Sequence, residues 1–288
     1  MIVNFNQKEK TLIVNQHISF VNNTTKILDT IYLSDWSNSY SSIETPLAQR
    51  FGEEYDRSFF LSKKSKLGNT KINYIGIQDK EFKWSRPKNQ PDIIRVIPKK
   101  PLKNNEIFKL NLEYVIKIPD AKFNRYGYDQ KGNIFLRNWH IILNQHNKGK
   151  WMNYSNLDLD DLSLLPAKYK LKISGGGEFQ TDLNLELVKQ ENQADYFEGT
   201  DIKELMLSFS LEDQFESFYT NNENTIITDI FRKVNKDEAK RIINTIDDFV
   251  GENLITEKNK KYLVPKLMYE KNPFFGLNDL PGFLAPFD

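Results

Sequence analysis

At 288 residues the chain is long enough to bury a core without disulfides, and two domains of ordinary size are expected. The absence of cysteine excludes thiol catalysis, cysteine-ligated zinc and a disulfide scaffold. Forty Lys and Arg against 39 Asp and Glu leave a formal charge of +1, so no overall field draws in nucleic acid or an anionic membrane.

Apolar residues at 39% and charged residues at 27% describe an ordinary globular chain rather than a disordered one. No run approaches the roughly 18 apolar residues of a membrane span. The first residues run straight into polar Asn4 and Asn6 without a basic, then apolar, then small-residue leader. The last seven residues stop on an apolar, proline-punctuated stretch, which reads as a piece of a longer protein. A leader removed upstream fits this reading. The compartment is left open, with an extracytoplasmic (periplasmic or cell-envelope) setting favoured.

In chain order, residues 5–21 read as strand, followed by the turn formers Asn22 and Asn23, and residues 27–33 are the expected hairpin partner. His17 falls in this strand pattern as a structural histidine. Ser37, Ser39, Ser41 and Ser42 predict an irregular surface excursion, and Thr45 with Pro46 predicts a short helix entered at Thr45. Residues 72–78 and 81–84 return to strand character.

Residues 93–118 carry the strongest pattern. Ile93, Ile94, Val96 and Ile97 form one strand, Pro98 and Pro101 a turn, and Asn104-Asn105 a bend. Phe108, Leu110, Leu112, Tyr114, Ile116 and Ile118 then alternate with Lys109, Asn111, Glu113, Val115 and Lys117. That is period two with one apolar face, which demands a second layer to cover it. The two strands are expected to pair as a hairpin within a mainly β fold, a twisted antiparallel sheet sandwich.

The next segment is aromatic: Phe123, Tyr126, Tyr128, Phe135, Trp139 and Trp151, with His140 and His146 six residues apart. On a straight strand those two histidines stand roughly 20 Å apart, too far to share an ion. Asp158, Asp160 and Asp161 lack the glycine and distal carboxylate of a calcium loop. Gly175-Gly176-Gly177 follows a strand but opens no helix, so it is a turn and not a phosphate cradle.

After Leu211 the pattern changes. A strand at 224–231 leads to a helix with Asn235 as N-cap, Glu238 as capping-box partner, an apolar face at Ala239, Ile242, Ile243, Ile246, Phe249 and Val250, and Gly251 as its stop. A strand bearing Pro265 follows at 262–268. The expected domains are therefore 1–211, a β-sandwich, and 212–288, the beginning of an α/β unit.

The order of proline, lysine, Pro101-Leu102, polar bend, long alternating strand, Pro119 and then Phe123, Arg125, Tyr126 and Gly127 resembles the amino-terminal β-domain of the aminopeptidase N family of gluzincin zinc peptidases. Asn22-Asn23-Thr24 with a strand ending at Tyr32-Leu33, and Gly149-Lys150-Trp151, are similar to further phrases of that domain. The strand, helix and strand after Leu211 resemble the start of the family's thermolysin-like catalytic domain, truncated here.

The resemblance implies that the loop after this last strand holds the substrate peptide through a Gly-x-Met-Glu-Asn motif, whose glutamate binds the free amino group. Here the loop reads Gly276, Leu277, Asn278 and Asp279. One register puts Asn278 in the glutamate place and the other puts Asp279 there, and neither restores the motif; Asn278 in that place would remove the charge partner of the substrate amine. No His-Glu-x-x-His occurs in the sequence.

The function implied is that of a non-catalytic amino-terminal fragment of a gluzincin-type metallopeptidase, or of a degenerate relative. It would pack on the zinc domain and form one wall of the peptide cleft. Its partners would be the remainder of its own catalytic domain and, in the parent hydrolase, a peptide substrate; nucleic acid is not expected, nor is a transmembrane segment in this chain. No metal or other cofactor is expected in the fragment itself, with zinc belonging to the parent. The alternative is a stand-alone β-sandwich module binding glycan or protein through residues 139–151.

Overall fold

Alternation decides the centre of the molecule. Along the strand Ile107–Lys117 the side chains of Phe108, Leu110, Leu112, Tyr114 and Ile116 are buried while Lys109 and Glu113 on the other face are exposed, as the pleat requires. The computed structural model describes residues 1–264 apart from 79, 125, 159–163, 212–214, 232–233 and 254–257.

The chain opens with β1 (Ile2–Asn6) and β2 (Thr11–Val21). Next come β3 (Ile31–Ser34), helix α1 (Pro46–Glu53), β4 (Asn69–Ile77), β5 (Lys80–Glu81), β6 (Lys83–Ser85), β7 (Ile93–Ile97) and β8 (Ile107–Lys117). The aromatic segment forms the short strands β9 (Gly127–Tyr128), β10 (Ile134–Arg137), β11 (Ile142–Leu143), β12 (His146–Asn147) and β13 (Lys150–Trp151). Then follow β14 (Ala167–Ser174), β15 (Gln180–Leu183), β16 (Glu186–Glu191), β17 (Ala194–Ile202) and β18 (Met206–Ser210). The last described elements are β19 (Glu216–Tyr219), β20 (Thr225–Thr228), α2 (Lys236–Asn253) and β21 (Lys261–Val264).

The fold is mainly β. An eight-stranded sheet runs β16-β17-β14-β1-β2-β8-β4-β5, and two four-stranded sheets run β11-β3-β7-β6 and β15-β18-β10-β9. Neighbouring strands are antiparallel except β1 with β14 and β20 with β21, which are parallel. One apolar cluster, from Val3 to Phe209, fills the space among these three sheets.

Two expected hairpins are not formed. The first hairpin joins β1 to β2, while β3 pairs with β7 and β11 in a different sheet. Likewise β7 lies in the sheet with β3, whereas β8 pairs with β2 and β4. A polar turn between two apolar runs permits a crossover between layers as readily as a hairpin, and burial on both layers favours the crossover here.

The serine stretch is also not a surface excursion, because Ser37, Asn38, Ser39 and Tyr40 are buried in a short 3-10 helix. Its hydroxyls are satisfied inside: Ser37 Oγ donates to the Trp139 carbonyl at 2.6 Å and Ser39 Oγ to that of Trp36 at 2.6 Å, which removes the desolvation penalty. Helix α1 begins as expected, with Pro46 at its first turn and Thr45 Oγ1 accepting from the Ala48 amide at 3.2 Å.

A buried ionic network joins the loops around this segment. Thr70 Oγ1 donates to Asp35 Oδ1 at 2.7 Å and Arg86 Nη2 to Oδ2 at 2.6 Å. The Asp35 amide donates to the Asp92 carbonyl, and the Asp92 carboxylate accepts from Ser155 Oγ at 2.8 Å and the Asn156 amide at 2.7 Å. Burial pushes both carboxyls above their ordinary value, with Arg86 and the neighbouring donors pulling Asp35 back down.

Past β18, helix α2 packs Ala239, Ile243 and the strands' Phe218, Ile226 and Val264 into a second cluster. Asn235 Oδ1 accepts from the Asp237 amide at 2.9 Å, the expected cap. Gly251 does not end the helix, which runs to Asn253. A Cβ there would come within 2.6 Å of the Asn222 side chain, so the glycine serves close approach. Buried Asp247 accepts from the Asn222 amide at 3.0 Å and Asn224 Nδ2 at 3.3 Å. Phe135 and Met206 from the β-sheets meet Ile227 and Leu263, tying this unit to the rest.

Arg86→Met should leave the Asp35 carboxylate buried without its cation, costing about 3–5 kcal/mol at pH 7. The Asp35 pKa then rises further, so the folded form takes up a proton that the unfolded chain does not. The penalty shrinks as pH falls through that raised value. Urea unfolding of both proteins at pH 7 and pH 4.5 should show the narrower gap at pH 4.5; an equal gap would mean that Asp35 does not carry the charge.

Asp247→Ala should strand the amide donors of Asn222 and Asn224 and destabilise the helical unit by about 1–3 kcal/mol. Limited proteolysis should then cut within 216–264 before cutting the β-sheets.

Candidate functional site

The loop of Gly276, Leu277, Asn278 and Asp279 lies outside the described residues. The unit that precedes it in the chain is described up to Val264. Strand β20 leads through α2 to β21, which pairs parallel to β20 from Thr225 opposite Lys261 to Thr228 opposite Val264. Thr228 Oγ1 donates to the Val264 carbonyl at 2.6 Å, holding the last described residue of β21.

Within the β-sheets, two side chains and one backbone residue form a polar link through the core. Gln16 sits on the otherwise apolar face of β2, where Leu12 and Val14 precede it. Its Nε2 donates to the Ile141 carbonyl at 2.8 Å, Tyr114 Oη donates to its Oε1 at 2.6 Å, and the Ile141 amide donates to Tyr114 Oη at 3.3 Å. Every polar atom of the group is used, as a buried network requires.

Beside this link lies a cavity of about 410 Å³, lined by residues 16–20 of β2, 140–143, and 165–170. His140 Nε2 is 3.1 Å from Tyr169 Oη, and the rings meet edge to face at 5.3 Å between centroids. Burial pushes the His140 imidazole down to about 3 and the Tyr169 phenol up to about 12. Both are neutral at pH 7. The His140 Nδ1 has no hydrogen-bond partner. The neutral imidazole carries no charge into the cavity near neutral pH.

The three histidines do not converge on an ion. His17 Nδ1 is 2.7 Å from Asn111 Oδ1 on the exposed face, and His146 stacks edge to face on Trp151 at 5.1 Å. Among the described residues, no group of three or more His, Asp or Glu side chains is placed to hold a metal.

The aromatic segment divides. Trp139 is wholly buried and offers no face to a ligand, whereas Trp151 is half-buried against Tyr32, 6.0 Å between ring centroids. The sequence reading missed Gln16 and Tyr169. A glutamine on the apolar face of a strand was the available signal.

No protein-family model and no curated protein sequence matches the chain. Among solved structures, a mutant M1 zinc metallopeptidase from Deinococcus radiodurans is similar with a TM-score of 0.50 at 12% identity, over 92% of this chain and 54% of that one. A mutant of the same description bound to a Tyr-Ser-Ala substrate gives 0.50 at 11% identity over the same shares. Yeast LTA4 hydrolase gives 0.48 at 12% identity, over 92% of this chain and 36% of that one.

The fold is that of M1 zinc metallopeptidases. The likeness reaches the M1 fold and no finer division of it, and the chain spans about half the length of the Deinococcus structures.

Tyr114→Phe should leave Gln16 Oε1 and the Ile141 amide short of a partner and cost about 1–3 kcal/mol. The urea midpoint should fall with an unchanged slope. An unchanged midpoint would show that water replaces the hydroxyl.

Proposed function

We propose that this chain is the amino-terminal portion of an M1-type zinc metallopeptidase or of a degenerate relative. In this reading residues 1–211 form the β-domain and 212–288 begin the catalytic domain. The portion is non-catalytic by itself, packs on the zinc domain and supplies one wall of the peptide cleft. The observation that carries the reading is the likeness to M1 structures over 92% of the chain; the parallel pairing of β20 with β21 around α2 is consistent with it. Gly276, Leu277, Asn278 and Asp279 follow this unit and would run beside the substrate peptide.

The described residues do not fit a zinc ion, because His17, His140 and His146 are engaged separately with Asn111, Tyr169 and Trp151. Zinc belongs, in this reading, to the remainder of the parent. The second reading, a stand-alone module for glycan or protein, is weakened by the burial of Trp139.

The test has two parts. The purified chain, assayed by mass spectrometry for metal and against aminoacyl and internal-peptide substrates with added zinc, should show neither stoichiometric zinc nor chelator-sensitive hydrolysis. Finding both would overturn the assignment. In the full-length parent, Asn278→Glu should favour peptides with a free amino end over acetylated ones by about tenfold, the worth of one charge-assisted contact. Unchanged selectivity would remove the loop from the cleft.

A further inference from the structure

A second cavity lies where β8 outruns its neighbour. Strand β4 pairs with β8 from Asn69 opposite Lys117 to Gly76 opposite Asn111 and ends at Ile77. Strand β8 starts further back, at Ile107. Its other side is paired with β2 throughout, Ile107 with Val21 and Lys109 with Ser19. Residues 107–109 therefore keep one backbone edge without a ladder partner among the described residues.

A groove of about 340 Å³ is lined by these residues and by Pro98, Lys99 and Lys100, which follow β7 of the four-stranded sheet. Its floor is aromatic. Phe82 and Phe108 are buried and stack with ring centroids 5.7 Å apart, while Ile77 and the exposed Ile107 add apolar surface beside them.

Its rim is cationic. Lys80, Lys99, Lys100 and Lys109 line the groove and are exposed, and among the described residues none of the four has an ion-pair partner. No described aspartate or glutamate lines it. Of the described acids beside it in sequence, Glu106 Oε2 accepts from the Lys103 amide at 2.8 Å. Glu81 stands between Lys80 and Phe82, whose amide continues the ladder by donating to the Ile75 carbonyl at 2.8 Å, so the pleat turns Glu81 to the opposite face.

The three features select one kind of occupant. Unpaired backbone takes an extended chain, free ammonium groups take carboxylates, and a recessed floor takes side chains that project rather than a flat bilayer. We propose that this groove is a docking site for an extended acidic segment of a partner protein, in which aspartate or glutamate alternates with apolar residues. Period two sends the apolar side chains to Phe82 and Phe108 and the carboxylates to the lysine rim. The inference goes beyond the peptidase reading and does not depend on it.

The probe is an unlabelled hexapeptide alternating glutamate and leucine, blocked at both ends and titrated calorimetrically into the full chain in about 50 mM salt, where screening is weak. Binding should saturate with a Kd below about 1 mM, a modest affinity for a short strand. Replacing the glutamates by glutamine should weaken it at least about fivefold, and so should replacing the leucines by serine. Lys99→Glu with Lys100→Glu, both exposed, should weaken binding about five- to tenfold. Lys63→Glu with Lys64→Glu, an equal charge change at exposed positions outside the groove, should leave it within about twofold.

Hydrogen exchange with the peptide bound should slow at residues 99–100 and 107–109. Absence of saturation, equal binding of the glutamine or serine peptide, equal loss from either lysine pair, or protection elsewhere would each overturn the proposal. Phosphatidylserine vesicles are the competing occupant. Sedimentation of the chain with them, abolished by the change at Lys99 and Lys100, would give the surface to a membrane and overturn it as well.

Discussion

The hydrogen-bonded group of Gln16, Tyr114 and the Ile141 backbone is the constraint on which the two main layers depend. Gln16 and Tyr114 belong to adjacent strands of the eight-stranded sheet, whereas Ile141 immediately precedes β11 of the sheet that covers it. Apolar contact between layers is non-directional and tolerates sliding. A buried amide and phenol that must find one particular peptide group do not. Once Ile141 is held, Ser34 Oγ can reach Asn144 Oδ1 at 2.6 Å, and Asp35 follows directly into its network with Thr70 and Arg86.

What the sequence made legible follows from which interactions are local. The alternation of Phe108 to Ile118 is visible in the residues themselves, and so are the capped start of α1 at Thr45 and the Asn235 cap of α2. Pairing partners are not. Asn22-Asn23 carries stronger turn chemistry than the segment from Gln7 to Lys10, yet the first hairpin closes through the latter, with Lys10 at a φ of 55°. The buried serines looked like surface because their partners, the Trp139 and Trp36 carbonyls, cannot be read from composition.

The candidate loop of Gly276 to Asp279 was reached by resemblance and lies outside the described residues, which run to Val264. The likeness to M1 structures at 12% identity has a similar cause. A sheet is specified by period and burial, and many residues satisfy both. Two chains only 12% identical can therefore share the arrangement.

The parallel pairing of β1 with β14 has a consequence for how the chain comes off the ribosome. Ile2 has Lys172 as its neighbour, so β1 cannot complete its surroundings until some 170 residues later. At bacterial or eukaryotic elongation rates that is a wait of roughly 10–30 s, far longer than a hairpin needs to form. During that interval β1 and β2 can pair, but the edge of β1 meant for β14 stays open. The nascent chain is thus exposed to mispairing along β1 during that interval.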